Sequence, residues 1–320
     1  MDLKNKNINI EKIQIIVHSK FMKIFSGSSN KPLAEKIAKR LKVKLGKIEL
    51  SAFPNGEARV WVQEDVNNQD CVIIQSFSDP TDKMIMEFLL IVDGLVRAGA
   101  EKIFAVIPWM AYSLQDKVFR SGEPIAAKVI ATMISDSGVS RVFTADLHND
   151  SVVGFFDVPV MHYTGRKLFV DYIKKNVDNN SVVVAPDFGS MKRSRTFAND
   201  LSLNQVLINK ERDRRTGEIT IHGISKPVSG KTCLIFDDLI NTGRTVASTA
   251  FYLKKQGAKK IIFCATHHLY LKPAFEVLEK SPVDKVIVSD SIYSSQQKKW
   301  KKLEIVSLSS LFAAGIKKWL

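Results

Sequence analysis

Short apolar, β-branched runs alternate with longer amphipathic stretches along almost the whole chain. The runs Met22–Phe25, Ile48–Ala52, Cys71–Gln75, Ile103–Ile107, Arg141–Thr144, Val182–Ala185, Gln205–Ile208, Thr232–Phe236, Ile261–Ala265 and Lys285–Val288 predict strands. Several are continuously apolar, as strands covered on both faces are. Helical spacing predicts helices over Pro32–Leu41, Asp82–Ala98, Ile125–Ser137, Arg166–Lys175, Thr245–Gln256 and Ser309–Trp319. This alternation predicts an α/β fold of parallel sheets flanked by helices. So many strands exceed one ordinary sheet, and the chain divides into two α/β units. The periodicity pauses over Pro159–Gly165, which marks the junction, and Ser181 marks a further break. The segment Lys210–Gly230, rich in charge, Gly, Thr and Ser, reads as a long polar loop between two apolar strands.

Composition narrows the function classes. The chain has 320 residues, 45% hydrophobic and 25% charged, as in an ordinary globular protein. No apolar run approaches the ~20 residues that span a bilayer. The first twenty positions, rich in Lys, Asn and Ile, hold no apolar signal core. Cys71, Cys233 and Cys264 each sit in an apolar β-like run without metal-ligand spacing. They read as reduced core thiols, and the expected compartment is the cytoplasm. The net charge of +14 admits nucleic acid, anionic membranes or phosphorylated small molecules as partners. Its Lys and Arg residues are spread along the chain, with clusters at Lys210–Arg215 and Lys298–Lys302. Neither zinc spacing nor an aromatic-interleaved basic tract is present, so neither nucleic acid nor membrane is an expected partner.

The strongest chemical signal is the run from Thr232 to Thr245. An apolar strand ends in two adjacent carboxylates, Asp237 and Asp238, and a short loop with Thr242, Gly243 and Thr245 opens a helix. Ligands of open parallel sheets bind at the carboxyl ends of strands. A Gly- and hydroxyl-containing loop at a helix start offers N–H groups to a phosphate, and paired carboxylates accept from vicinal hydroxyls. Phosphate at one end and a diol at the other describe a sugar phosphate. The run Ser229-Gly230-Lys231-Thr232 ends like a nucleotide P-loop, but Ser225 stands where its first Gly belongs and the run precedes a strand. It is no Walker site.

The Asp237–Thr245 run resembles the phosphoribosyl-diphosphate signature shared by type I phosphoribosyltransferases and ribose-phosphate pyrophosphokinases. The remaining segments resemble the pyrophosphokinases from about Met22 onward. They are Met22–Asn30, Phe53-Pro54-Asn55-Gly56-Glu57, Ile107–Lys117, Ala145-Asp146-Leu147-His148, Gly154–Val160, Ala185-Pro186-Asp187 and Lys210-Glu211-Arg212. The resemblance implies two similar type I phosphoribosyltransferase-like domains. An ATP-binding domain would span 22–163, with 304–320 packing back on it, and a ribose 5-phosphate domain 164–303. Residues 1–21 have no counterpart in the family's usual start and are expected to be a disordered extension or the product of an upstream start codon. The implied reaction moves the diphosphoryl group of ATP to the anomeric hydroxyl of ribose 5-phosphate and releases AMP, for nucleotide biosynthesis. Magnesium is the implied cofactor and a homo-oligomer the implied assembly.

Site roles follow the same resemblance. Phe53, Asn55, Glu57, Gln115, Asp116 and Lys117 would bind ATP. His148 and Asp187 would meet the metal, and Lys210 and Arg212 would be catalytic, with Arg214 and Arg215 nearby. Asp237, Asp238, Asn241, Thr242, Gly243, Arg244 and Thr245 would bind ribose 5-phosphate. The chain departs from the family pattern at Leu114, where an Arg is usual, and at Asn241, where an Asp is usual. A weakly active or inactive regulatory paralogue, and a phosphoribosyltransferase, therefore stand as alternatives. His267 and His268 follow a strand but have no partners with metal-ligand spacing.

Overall fold

The computed structural model describes residues 22–212, 219–295 and 300–319. The chain forms two compact units, one ending at Tyr163 and resumed at Ser309, the other spanning Thr164–Leu308. In the first unit, β1 (Met22–Ser26) leads into α1 (Lys31–Leu41), followed by a hairpin of β2 (Ile48–Ala52) and β3 (Ala58–Val62). Then come β4 (Asp70–Ile74), α2 (Thr81–Arg97), β5 (Lys102–Ile107), α3 (Ala126–Asp136), β6 (Arg141–Ala145) and β7 (Val160–Tyr163). The spatial order is β1-β4-β5-β6-β7, all parallel, with the β2–β3 hairpin as a separate antiparallel pair. Local signals explain where elements start. Asn30 caps α1 by accepting the Leu33 N–H at 3.3 Å, and Pro32 occupies the first turn, where its missing N–H costs nothing. Leu33, Ala34, Ile37, Ala38 and Leu41 are buried at helical spacing, so one stripe of α1 faces the core.

In the second unit the order along the chain is α4 (Arg166–Ile173), β8 (Ser181–Ala185), α5 (Met191–Leu201), β9 (Asn204–Arg212) and β10 (Ile219–Ile224). It continues through β11 (Thr232–Ile240), α6 (Arg244–Lys255), β12 (Lys260–His268), α7 (Lys272–Lys280), β13 (Lys285–Ser289) and β14 (Leu303–Val306). The sheet runs β10-β9-β8-β11-β12-β13-β14 and is parallel except for the β9–β10 hairpin. From β8 the chain first steps outward to β9, then returns to place β11 on the other side. The strand order reverses there, and a crevice opens at such a switch point. Beneath it, Phe236 stacks on Phe197 at 5.0 Å between ring centres and tilts against Phe169 at 5.5 Å. Finally α8 (Ser309–Trp319) returns to the first unit and packs on α1. Arg40 Nε donates to Ser309 Oγ at 2.9 Å, and the Arg141 guanidinium lies 3.7 Å from the Trp319 ring centre.

Several elements differ from the expectations. Strand β7 lies within the expected junction, because Val160–Tyr163 pairs with β6. Ser181 is no break: it begins β8, buried, with its hydroxyl donating to Asp178 at 2.8 Å. Within the Lys210–Gly230 segment, Lys210–Arg212 end β9 and Ile219–Ile224 form the antiparallel edge strand β10, whose strand character is hidden in sequence because an edge strand tolerates charges; residues 213–218 lie outside the described residues. Strand β14 (Leu303–Val306) pairs with β13 and completes the second sheet, so the second unit runs to Leu308 and the return to the first unit starts at Ser309. Helices α5 and α7 and strand β3 were also not apparent from the pattern. In α5 only a narrow stripe around Phe197 and Ala198 is buried, too little for periodicity to register. The segment 1–21 lies outside the described residues.

Candidate functional site

Strand β11 continues past Phe236, pairing with β12 as far as Ile240 opposite His268. Asp237 and Asp238 therefore belong to the strand rather than to the loop after it. Asp237 is part-exposed there and Asp238 is buried. Burial, and then the neighbouring Asp238 charge, push the Asp237 carboxyl up, against the pull of Arg193. Asn241 and Thr242 are exposed in the following loop, and Gly243 turns the chain into α6 at φ +73. A Cβ there would lie 2.9 Å from the Leu278 side chain, so glycine is required twice over, by conformation and by space. Arg244 is exposed and Thr245 half-buried in the first turn, where N–H groups lack intrahelical partners and face an anion favourably.

On the other side of the switch point, Pro186 and Asp187 follow the end of β8. Asp187 Oδ1 accepts the Ser190 N–H at 2.9 Å, and Ser190 Oγ donates back to the Asp187 carbonyl at 2.9 Å. That closed turn fixes the carboxylate and launches α5. Lys210 is half-buried near the end of β9, opposite Ile221. Arg212 closes β9, and its side chain, like Arg214 and Arg215, lies outside the described residues. The second unit thus brings Asp187, Lys210, Asp237, Asp238 and the Asn241–Thr245 loop to the carboxyl edge of one sheet.

The first unit gathers the other expected residues in two places. Phe53, Asn55 and Glu57 occupy the β2–β3 turn, which is closed by Phe53 N–H to Glu57 O and Gly56 N–H to Phe53 O, both 2.8 Å. Asn55 Oδ1 accepts the Glu57 N–H at 3.2 Å. The Phe53 ring is 47% exposed, enough to offer a stacking face, with the Arg59 guanidinium 5.8 Å from its centre. Elsewhere Gln115 and Lys117 are exposed and Asp116 part-buried after β5. Asn149 Nδ2 donates to Asp116 at 2.8 Å, tying that segment to the loop carrying the exposed His148. Leu114 is half-buried beside them.

His148 belongs to the first unit and Asp187 to the second. Among the described residues no group of three or more His, Cys, Asp or Glu side chains forms a metal cage. A fixed carboxylate such as Asp187 is of the kind magnesium takes, with its other positions left to water and phosphate oxygens, whereas an imidazole such as His148 is a less usual partner. His267 and His268 are core residues: His267 Nδ1 meets Ser291 Oγ at 2.9 Å, and His268 packs against Tyr270, Phe275 and Trp300. The cysteines are free and buried; burial raises the Cys71 thiol to about 12 and Cys233 to about 11.

Two residues escaped the sequence reading. Asn149 gave no signal beyond its neighbour His148. Arg193 lies in the first turn of α5 and reaches both site carboxylates, contacting Asp237 Oδ1 and meeting Asp238 Oδ1 at 2.9 Å. It stands four positions before the buried Phe197, on the helix face that meets the sheet. A cation on that face is the pattern that calls for buried acidic partners.

Known proteins similar to this chain fall in one family. A family model described as the N-terminal domain of ribose phosphate pyrophosphokinase matches residues 22–138, and one described as the phosphoribosyl synthetase-associated domain matches residues 214–319. The chain is 38% identical over 297 residues to a ribose-phosphate pyrophosphokinase of Fusobacterium nucleatum, covering 92% of this chain and 94% of that protein. It is 39% identical over 299 residues to ribose-phosphate pyrophosphokinase 2 of Enterococcus faecalis, covering 93% and 92%. Among solved structures, phosphoribosylpyrophosphate synthetase from Mycobacterium smegmatis matches with a TM-score of 0.86 at 34% identity, over 93% of this chain and 98% of that one.

Proposed function

The chain belongs to the ribose-phosphate pyrophosphokinase family and makes phosphoribosyl diphosphate, and we propose that the residues gathered above divide that reaction between its two units. The second unit takes ribose 5-phosphate. Its phosphate meets the Asn241–Thr245 loop and the first turn of α6, and its hydroxyls donate to Asp237 and Asp238. The first unit takes ATP, with Phe53 stacking on adenine, Asn55 and Glu57 making polar contacts, and Gln115, Asp116 and Lys117 along the phosphate path.

The single observation that carries this reading is the β8/β11 switch point, where a carboxylate pair and a phosphate-type loop share one sheet edge. Diphosphoryl transfer asks a protein mainly for positioning and for cancellation of charge. Lys210, and Arg212 at the end of the same strand, supply positive charge to the group in transit. Asp187 offers a fixed oxygen donor and His148 an exposed imidazole, each the proposed magnesium contact of its own unit. Magnesium held by these residues would supply positive charge to offset that of the ATP phosphates. The reading extends to a homo-oligomer, as the family resemblance implies, and to action in the cytoplasm, which the three free buried thiols support.

The test is direct. Purified protein is incubated with ribose 5-phosphate, ATP and magnesium, and AMP release is followed. AMP formed in proportion to phosphoribosyl diphosphate supports the proposal. Intact ribose 5-phosphate binding without AMP would instead identify a regulatory paralogue.

A further inference from the structure

We propose that Arg193 is the positioning residue of the ribose subsite, holding Asp237 and Asp238 so that Asp237 Oδ2 is presented to a sugar hydroxyl. The inference rests on the ribose 5-phosphate reading of the β11 edge and deepens it.

The geometry makes the case. One terminal nitrogen of Arg193, Nη1, serves Oδ1 of both carboxylates. Asp237 Oδ1 also accepts the Asp238 N–H at 3.0 Å, so two donors converge on that one oxygen. The contacts from Arg193 Nη1 and from the Asp238 N–H both fall on Oδ1 of Asp237, and Asp237 is part-exposed while Asp238 is buried. A carboxylate anchored through one oxygen has lost its rotation about the side-chain bond. Its second oxygen then points one way before any ligand arrives, and less order remains to be imposed on binding.

Charge argues the same way. Two adjacent carboxylates repel one another, and burial favours their neutral forms. A neutral acid would donate where a hydroxyl needs an acceptor. The Arg193 guanidinium is charged at all working pH values and lies in the first turn of α5, which packs on β8, β9 and β11. The side chain is thus braced by the helix rather than by solvent.

The experiment compares wild type with Arg193→Ala and Arg193→Lys, reading KM for each substrate, kcat, and ribose 5-phosphate binding by calorimetry. For Arg193→Ala, KM for ribose 5-phosphate should rise on the order of tenfold to a hundredfold, the range a charge-assisted pair commands. KM for ATP should stay within about twofold. Arg193→Lys, which keeps the charge but not the fork, should recover part of the loss. Equal effects on both substrates, or an unchanged KM for ribose 5-phosphate, would overturn the inference. If Arg193→Ala fails to fold, Arg193→Lys decides alone: wild-type KM for ribose 5-phosphate then assigns Arg193 to stability only. A wild-type chain that neither binds ribose 5-phosphate nor releases AMP would sink the underlying functional reading, a result separable from any behaviour of the variants.

Discussion

The side-chain amide of Asn149 donates to the Asp116 carboxylate at 2.8 Å, joining residues 33 positions apart across the first unit. It locks the Gln115–Lys117 segment onto the loop that presents His148. Asn149 also caps the short 3-10 helix Asp150–Phe155, its Oδ1 accepting the Ser151 N–H at 3.1 Å. One side chain therefore orders two neighbouring parts of the proposed nucleotide machinery. Asn149→Ala should raise KM for ATP by roughly threefold to tenfold, the net worth of one hydrogen bond to a charged group. Steady-state kinetics check this, with KM for ribose 5-phosphate as the internal control. Asn149→Asp, which sets a like charge against Asp116, should be worse.

Lys210 is proposed to meet charge that develops only as the diphosphoryl group moves. Lys210→Ala should then lower kcat by about a hundredfold to a thousandfold and leave both KM values nearly unchanged. A loss confined to KM would make Lys210 a binding residue instead.

Gly243 combines a left-handed backbone with a Leu278 side chain 2.9 Å from any added Cβ. Gly243→Ala should cost about 1–3 kcal/mol of stability from strain and crowding together. Because the same loop is proposed to hold the sugar phosphate, ribose 5-phosphate affinity should fall as well. Thermal unfolding and calorimetry on one variant separate the two effects.

His268 is fully buried, and burial pushes its imidazole down from its ordinary 6.5 to about 4. Its Nδ1 accepts the Tyr270 N–H at 2.8 Å, which favours the neutral ring. Below pH 6.5 the unfolded chain takes up a proton that the folded chain refuses until about pH 4. His268 therefore contributes full stability above 6.5 and loses it as pH falls toward 4. The whole window is worth on the order of 3 kcal/mol. Asp237, raised by burial, contributes a slope of opposite sign, so the difference between wild type and His268→Gln isolates the histidine. Denaturant midpoints measured from pH 8 to pH 4 should converge with falling pH; parallel curves would be evidence against this account.

Leu114 and Asn241 stand where the family's usual residues are Arg and Asp. Asn241 is exposed on its loop, so Asn241→Asp adds a charged acceptor without burial cost, and ribose 5-phosphate affinity should improve by roughly threefold. Leu114 is half-buried. Leu114→Arg should lower KM for ATP while reducing thermal stability, since an aliphatic contact is exchanged for a charge that must reach solvent. Kinetics and melting curves on the single and double variants test both.

Periodicity alone carried the alternation of strands and helices, the parallel sheets and the two-unit division. Burying both faces of a strand demands an apolar run, and that demand is local. The run Cys233–Thr245 was legible for a similar reason: carboxylates, Gly243 and hydroxyl residues fall within one strand-to-helix turn. Edge strands such as Ile219–Ile224 and the weakly apolar helix Met191–Leu201 left no comparable mark, because one exposed face or a narrow buried stripe tolerates almost any polar residue. Tertiary structure alone decided that β11 runs on to Ile240, since only the pairing with β12 extends it. It alone placed Arg193 on Asp237 and Asp238, and Asn149 on Asp116. Those contacts join residues 33 to 45 positions apart, and no local pattern encodes which distant charge a side chain will meet.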